Sequence, residues 1–192
     1  LLQPAEDPKG YPAFLKLINI PYSSREGFMP VYHDVFQIQS DRRPTFEDVT
    51  DRVVDVLNKS KIKDGILLVF SQHTTCSVLL QEASDDVNYW GTELLMQDLV
   101  NVLGKIIPTC LTEGQYLHPG PEHIKAARGR EEEPAWSLNT DAHLRSVLLG
   151  RSVSIPVLNG KMELGEFGRI YFADFDQVRA RQRNVRVQIV GE

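Results

Sequence analysis

The chain of 192 residues contains only two cysteines, Cys76 and Cys110. That excludes a disulfide framework and makes a reducing, cytoplasmic setting the expectation. No apolar run approaches the roughly 20 residues needed to cross a bilayer, and residues 1–30 carry no segment like a secretory signal. Positive charge is not in excess: 21 Lys and Arg face 26 Asp and Glu, a formal charge of −5. General binding to nucleic acid or to a membrane surface is therefore not expected. Also missing are the glycine patterns of a P-loop or a dinucleotide fold, a G-x-S-x-G elbow, a CxxC pair and an H-E-x-x-H helix. Those absences remove the common nucleotide, serine-hydrolase, thiol-redox and zinc-protease classes.

What is present is the composition of one globular domain, with 42% hydrophobic and 24% charged residues. Residues 1–30 hold Pro4, Pro8, Pro12, Pro21 and Pro30 and read as an irregular arm, over the surface or around a neighbouring subunit. The remaining residues, 31–192, read as a single domain. Residues 31–40 alternate as a strand, with Val31, His33 and Val35 on one face and Phe36 and Ile38 on the other. Residues 45–60 read as a helix, with Val49, Val53, Val56 and Leu57 in one stripe and Thr45 or Thr50 as its cap. Ile66–Phe70 has the length and composition of a buried strand, and Cys76–Leu80 resumes the apolar run. A second helix is expected over 85–103, capped by Ser84 or Asp85, lined by Leu95, Leu99, Val102 and Leu103, and stopped at Gly104. The proline-rich and acidic stretch 108–138 reads as a long loop with at most a helical turn. A short helix then follows Asn139-Thr140-Asp141 and closes at Gly150. Asn159-Gly160 between two apolar runs is a hairpin signal, and Arg169–Phe175 and Val185–Val190 are further strands. Six or seven strands and about three helices that do not alternate imply an α+β fold, a mostly antiparallel sheet or sandwich.

Candidate chemistry rests on five histidines and a late run of arginines. His73 directly follows a buried strand, where a rigid scaffold presents side chains to a cleft. It is placed to ligate a metal or move a proton, the alternative being a bond to backbone. His143 lies in the first turn of the third expected helix, four residues before Val147, and so leans toward the packed face. A helix N-terminus disfavours imidazolium and leaves that ring free to bind a metal; the alternative is pairing with Asp141 or a carbonyl. His118 sits in the loop beside Tyr116, and His123 reads as a solvated loop residue. Glu82 and Asp85 follow the His73 segment as candidate carboxylate ligands or bases, although Asp85 has the simpler role of a helix cap. Cys76 reads as a small core residue. Arg179, Arg181, Arg183 and Arg186 form an extended stretch that either grips phosphate or solvates an edge strand.

Read together, the segments resemble the YjbQ family, also called UPF0047. The resemblance is carried by His73-Thr74-Thr75 with Glu82, Tyr116 and His118, Asp141-Ala142-His143-Leu144, Leu148-Leu149-Gly150 with Ser152, Ile155-Pro156-Val157, Asn159-Gly160 and Leu164-Gly165. It spans residues 33–192, with Gln81 and Phe167-Gly168 departing from the family pattern and residues 119–138 as an insertion. The resemblance implies an α+β homotrimer with clustered histidines at a subunit edge, a bound metal in some members, and a weak, secondary thiamine-phosphate synthase activity. It assigns His73, His118 and His143 as the metal cluster, with Glu82 beside it and His73 and Glu82 as the catalytic pair.

Arg179 and Arg181 are then the expected grip on a phosphorylated small molecule. Expulsion of pyrophosphate needs cationic stabilisation of the departing anion. Three imidazoles suit Zn²⁺ better than Mg²⁺, which prefers oxygen ligands. The expected function is thus a YjbQ-type small-molecule enzyme. The alternatives are a metal-assisted hydrolase or lyase, and a non-catalytic trimer that binds a metal or a phosphorylated metabolite.

Overall fold

A computed structural model describes residues 29–192, so nearly all of the expected proline-rich arm lies outside the described residues. In chain order the elements are β1 (Val31–Gln39), β2 (Thr45–Asp48), α1 (Thr50–Ser60), β3 (Gly65–Ser71), β4 (Cys76–Glu82), α2 (Leu94–Ile106) and α3 (Pro121–Gly129). A 3-10 turn at Pro134–Ser137 follows, then α4 (Thr140–Leu149), β5 (Ser152–Leu158), β6 (Lys161–Met162), β7 (Gly168–Asp174) and β8 (Gln182–Gly191).

The strands form two antiparallel sheets, in the orders β1-β8-β3-β5-β6 and β2-β7-β4. The architecture is α+β. The main core gathers Ile38 of β1, Leu67 and Val69 of β3, Val78 of β4, Ile155 and Val157 of β5, Ile170 and Phe172 of β7, and Val185, Val187 and Ile189 of β8. Alternation along each strand sends these side chains to one face, so the sheets pack on each other through them. The α1 stripe behaves as its spacing predicts: Val49, Val53, Val56 and Leu57 are all buried in this core. β1 likewise turns Phe36 and Ile38 inward and leaves Val31 and Val35 exposed.

The smaller sheet is covered on its second face. Ala173 and Phe175 join Leu103 of α2 and Ala142 of α4 in a second cluster. Tyr171 is buried too, and its hydroxyl donates to the Glu93 carboxylate at 2.9 Å. β7 is therefore buried on both faces, which explains its unbroken apolar run. α4 is pinned to β4 by hydroxyls as well as by packing. Ser146 donates to the Cys76 carbonyl at 2.6 Å, and Ser77 donates to the Ser146 carbonyl at 3.4 Å.

The β5–β6 hairpin is closed by Asn159 at φ 52° and Gly160 at φ 74°, the two left-handed positions that an Asn-Gly turn supplies.

Several sequence expectations are corrected. Residues 45–48 are strand, not helix, and pair with β7; α1 begins only at Thr50. Neither threonine caps it, and Asp48 instead accepts from the Thr50 amide at 2.8 Å. The second helix starts at Leu94, nine residues later than the Asp85 expected, and passes Gly104 to end at Ile106. The cause is Glu93, whose carboxylate takes the Ser84 amide at 2.7 Å as well as the Tyr171 hydroxyl, holding residues 84–93 as a non-helical turn. Residues 108–138 contain α3 and the 3-10 turn, so the described residues hold four α-helices rather than about three. α3 and the 3-10 turn each begin with a proline, where a missing N–H costs nothing. Prolines that suggested loop are helix starts. Finally, β8 lies between β1 and β3 and is not an edge strand.

Candidate functional site

Residues 72–75 form the tight connection from β3 to β4, and all three carbonyls of residues 73–75 are used. The His73 carbonyl accepts from the Cys76 amide at 3.1 Å, and the Thr75 carbonyl accepts from the Phe175 amide at 3.0 Å. The Thr74 carbonyl faces Nδ1 of His143 at 3.3 Å. This fixed turn carries His73 on the cavity side and buries Cys76 completely in the core, as a small apolar residue.

The buried Asp174 and Asp176, spaced two apart at the end of β7, organise the opposite wall. Arg183 of β8 donates from Nε to Asp174 at 2.6 Å and from Nη2 to Thr75 at 3.1 Å. Asp174 also accepts from the Thr75 hydroxyl and from the Asp176 amide, each at 3.1 Å. Asp176 lies 3.5 Å from both Arg181 and Arg183. Burial acts to lower the pKa of Arg183, but the hydrogen bond and charge of Asp174 outweigh it and the net direction is up. Breaking such a buried network by removing one partner costs about 3–5 kcal/mol.

These elements enclose a cavity of about 340 Å³. His73, His123, His143, Arg179, Arg181 and Arg183 line it, together with Arg130, Glu132 and Trp136 from the segment between α3 and α4. Arg179 lies over the Trp136 ring at 4.1 Å, and its Nη2 is 4.0 Å from Glu132. The Nε groups of Arg179 and Arg181 are buried and have no hydrogen-bond partner. Unsatisfied buried donors of this kind cost about 1–3 kcal/mol each.

His118 does not line this cavity, but its ring is 4.6 Å from that of His123 and 5.9 Å from that of His143. Its carbonyl accepts from the Thr140 hydroxyl at 2.5 Å, tying the loop to the start of α4. Three of the imidazoles are pushed toward the uncharged form. Burial, then Arg183, pushes His73 down; burial, then His123 and His143, pushes His118 down; burial pushes His143 down.

The three-histidine metal set expected from His73, His118 and His143 does not assemble. Among the described residues no group of three His, Cys, Asp or Glu side chains stands where it could hold one metal ion. Two of the rings are also engaged through a nitrogen. The Asn184 amide donates to Nε2 of His73 at 2.9 Å, so the neutral ring carries its proton on Nδ1 and offers no free lone pair. His143 differs: with Nδ1 turned to the Thr74 carbonyl, Nε2 is free to accept.

Glu82 is also corrected. It ends β4 opposite Gly168, and the rise of about 3.3 Å per residue carries it about 20 Å from Cys76 and the His73 turn. It is exposed and does not line the cavity with His73. His143 does not lean onto a face shared with Val147, which is 76% exposed; α4 packs instead through Ala142, Arg145 and Ser146. Asp141 pairs with the buried Arg145 at 3.4 Å, not with His143. His33 and Asp85 lie elsewhere, on the exposed face of β1 and in the loop before α2.

Arg179, Arg181 and Arg183 do gather on one wall, whereas Arg186 points away and donates to Gln72 at 3.2 Å. The residues missed were His123, Thr75, Asp174 and Asp176. Two carboxylates at i and i+2 ending an apolar strand, followed by alternate arginines, were the available signal. His123 gave none, because nothing in a loop-like sequence indicates which loop histidine folds back.

A family model described as UPF0047 protein YjbQ-like matches residues 34–192. A UPF0047 protein of Methanothermobacter thermautotrophicus is 33% identical over 165 residues, covering 86% of this chain and 96% of that protein. Another, from Methanocaldococcus jannaschii, is 29% identical, covering 82% and 93%. Among solved structures, a YbjQ-like protein of unknown function from Sulfolobus solfataricus is similar with a TM-score of 0.67 at 26% identity. The match covers 86% of this chain and all of that one. A hypothetical protein from Aeropyrum pernix is similar with a TM-score of 0.63 at 27% identity, covering 83% and 98%.

Proposed function

The chain belongs to the YjbQ-like UPF0047 family, and on that premise we propose that its histidine–arginine cavity binds a phosphorylated small molecule and acts on it as an enzyme. The observation that carries this reading is the meeting of Arg179, Arg181 and Arg183 with His73 and His143 around one cavity. Guanidinium groups suit phosphate oxygens, and their charge stabilises a phosphate or pyrophosphate as it departs. Uncharged imidazoles suit the accompanying proton transfers. His143, with Nε2 free, is the candidate base; His73, fixed by Asn184, offers its Nδ1–H as a donor. The family resemblance suggests a thiamine-phosphate-synthase-like condensation as the form of the reaction.

A metal-assisted hydrolase or lyase is the alternative. The free Nε2 of His143 favours it, and imidazole donors favour zinc over magnesium. It requires further ligands beyond those gathered within one protomer. We also propose a homotrimer. The support is apolar surface on two helices, Leu94, Leu95, Val102 and Ile106 on α2 and Leu144, Val147 and Leu148 on α4, all exposed in the single chain.

Calorimetric titration with inorganic phosphate and pyrophosphate tests the pocket. Binding is expected in the wild type and is expected to be lost in a chain carrying both Arg179→Ala and Arg181→Ala. Turnover of phosphorylated substrates by the wild type against His143→Ala then tests catalysis. Equal rates in the two proteins would leave a binding protein and end the enzyme reading.

A further inference from the structure

The cavity already contains an anion of the protein's own. Glu132 follows α3, where Glu131 adopts a left-handed backbone at φ 57° and the Glu132 amide donates back to the Ala127 carbonyl at 3.1 Å. This turn brings the Glu132 carboxylate over the arginine wall, 4.0 Å from Arg179. Arg130 supports it from the other side, at 3.3 Å from Nε and 3.4 Å from Nη2.

The three carboxylates on this wall differ in how firmly they are held. Asp174 and Asp176 are fully buried and bound to Arg183 and to backbone amides. Glu132 is a quarter exposed, sits on a connecting segment, and meets Arg179 only at the limit of an ion pair. It is the one that an incoming anion can replace.

The charge count points the same way. Arg130, Arg179, Arg181 and Arg183 face Glu132, Asp174 and Asp176, four cations against three anions. With Glu132 in place the wall carries one excess positive charge. With Glu132 turned away it carries two, the complement of a phosphate dianion. Arg179 and Arg181 of the same wall each also carry a buried Nε without a hydrogen-bond partner.

We propose that Glu132 is a built-in stand-in for the ligand's anionic group. It holds the arginine wall together in the free protein and is displaced by a phosphomonoester dianion, whose two charges match the wall that Glu132 leaves behind. This rests on the phosphate-binding reading of the cavity. It adds that the segment carrying Glu132 competes with the ligand for the arginine wall.

The test is titration of the full-length chain with inorganic phosphate and with dimethyl phosphate, a permanent monoanion. Wild type, Glu132→Gln and Arg181→Ala are compared at constant ionic strength. Removing a carboxylate that competes with the ligand is expected to tighten phosphate binding by roughly tenfold in Glu132→Gln. The preference for phosphate over dimethyl phosphate is expected to persist in that variant, because the doubly positive wall still matches the dianion. In the wild type, phosphate affinity is expected to rise as the pH passes upward through the second ionisation of inorganic phosphate, which falls near neutral pH. Unchanged or weaker phosphate binding by Glu132→Gln, with binding still lost in Arg181→Ala, overturns the role of Glu132 and leaves the pocket standing. Absence of phosphate binding in both wild type and Glu132→Gln overturns the pocket and the stand-in together.

Discussion

The backbone amide of Asn184 donates to Nε2 of His73 across 2.9 Å. The two residues are 111 apart in sequence. The strand that brings in the arginines therefore also decides which nitrogen of this histidine bears the proton. A ring predisposed by sequence position to ligate a metal is fixed instead as an Nδ1 donor.

His73→Ala is expected to leave the half-buried Asn184 amide without its acceptor. The loss should be about 1 kcal/mol of stability, at the low end for an unpaired buried donor. Chemical denaturation gives the size. Faster amide exchange at Asn184, with exchange elsewhere in β8 unchanged, identifies the cause.

Arg183→Met is expected to destabilise the fold by about 3–5 kcal/mol, because it strands Asp174 and Asp176, both fully buried. Arg179→Met, at a side chain 24% exposed, should cost no more than about 1 kcal/mol. Comparable losses in the two variants, measured as shifts in denaturation midpoint, would contradict the view that the Asp174–Arg183 pair is the structural centre of the wall.

The three depressed histidines make stability depend on pH with a definite sign. His73, His118 and His143 have folded pKa values below the ordinary 6.5. Between those values and 6.5 the unfolded chain binds more protons, so stability rises with pH across that window. Their contribution is complete above 6.5 and is lost as the pH falls toward the folded values. Denaturation at pH 7.5 and 5.5 should show the loss, and His143→Asn should reduce it. Asp141, which burial pushes up, acts in the opposite direction, so the comparison between variants carries the test.

Ile106 and Val147 are 63% and 76% exposed on helices that cover the smaller sheet. Ile106→Glu and Val147→Glu should leave the stability of the single chain within about 0.5 kcal/mol, as expected for surface changes. Light scattering should show a trimer for the wild type and smaller species for one or both variants. A wild type that runs as a monomer at high concentration would remove the assembly proposed above.

Gly65 packs where a Cβ would fall 2.2 Å from the Val190 carbonyl oxygen and 2.7 Å from Cα of Gly191. Gly65→Ala therefore cannot be accommodated without separating β3 from β8. A loss of about 1–3 kcal/mol is expected, as for an overpacked site. A thermal midpoint equal to that of the wild type would show that the strands can give way.

Much of the scaffold is legible in the linear sequence because the signals are local. The α1 stripe of Val49, Val53, Val56 and Leu57 needs only the helical period to be recognised, and the Asn159-Gly160 hairpin needs only two residues that tolerate positive φ. The alternation that buries Ile38 and exposes Val31 is likewise set by the two-residue repeat of a strand. Where two local signals compete, the reading fails. Ser84 and Asp85 offer themselves as helix caps, but the Glu93 carboxylate, drawn by the Ser84 amide and the Tyr171 hydroxyl, holds residues 84–93 as a turn.

The sequence by itself determined the α1 stripe, the Asn159-Gly160 hairpin, the place of His143 in the first turn of a helix and the arginine-rich stretch from 179 to 186, because each follows from neighbours a few positions away. Only the tertiary structure decided that Arg179, Arg181 and Arg183 meet His73 and His143, that His123 joins them, and that Glu82 is left at the far end of β4. Those outcomes depend on how β8 lies between β1 and β3 and on how α4 is fastened to β4. Such long-range pairings bring together groups that no short spacing connects, and burial of a shared core, not local preference, selects them.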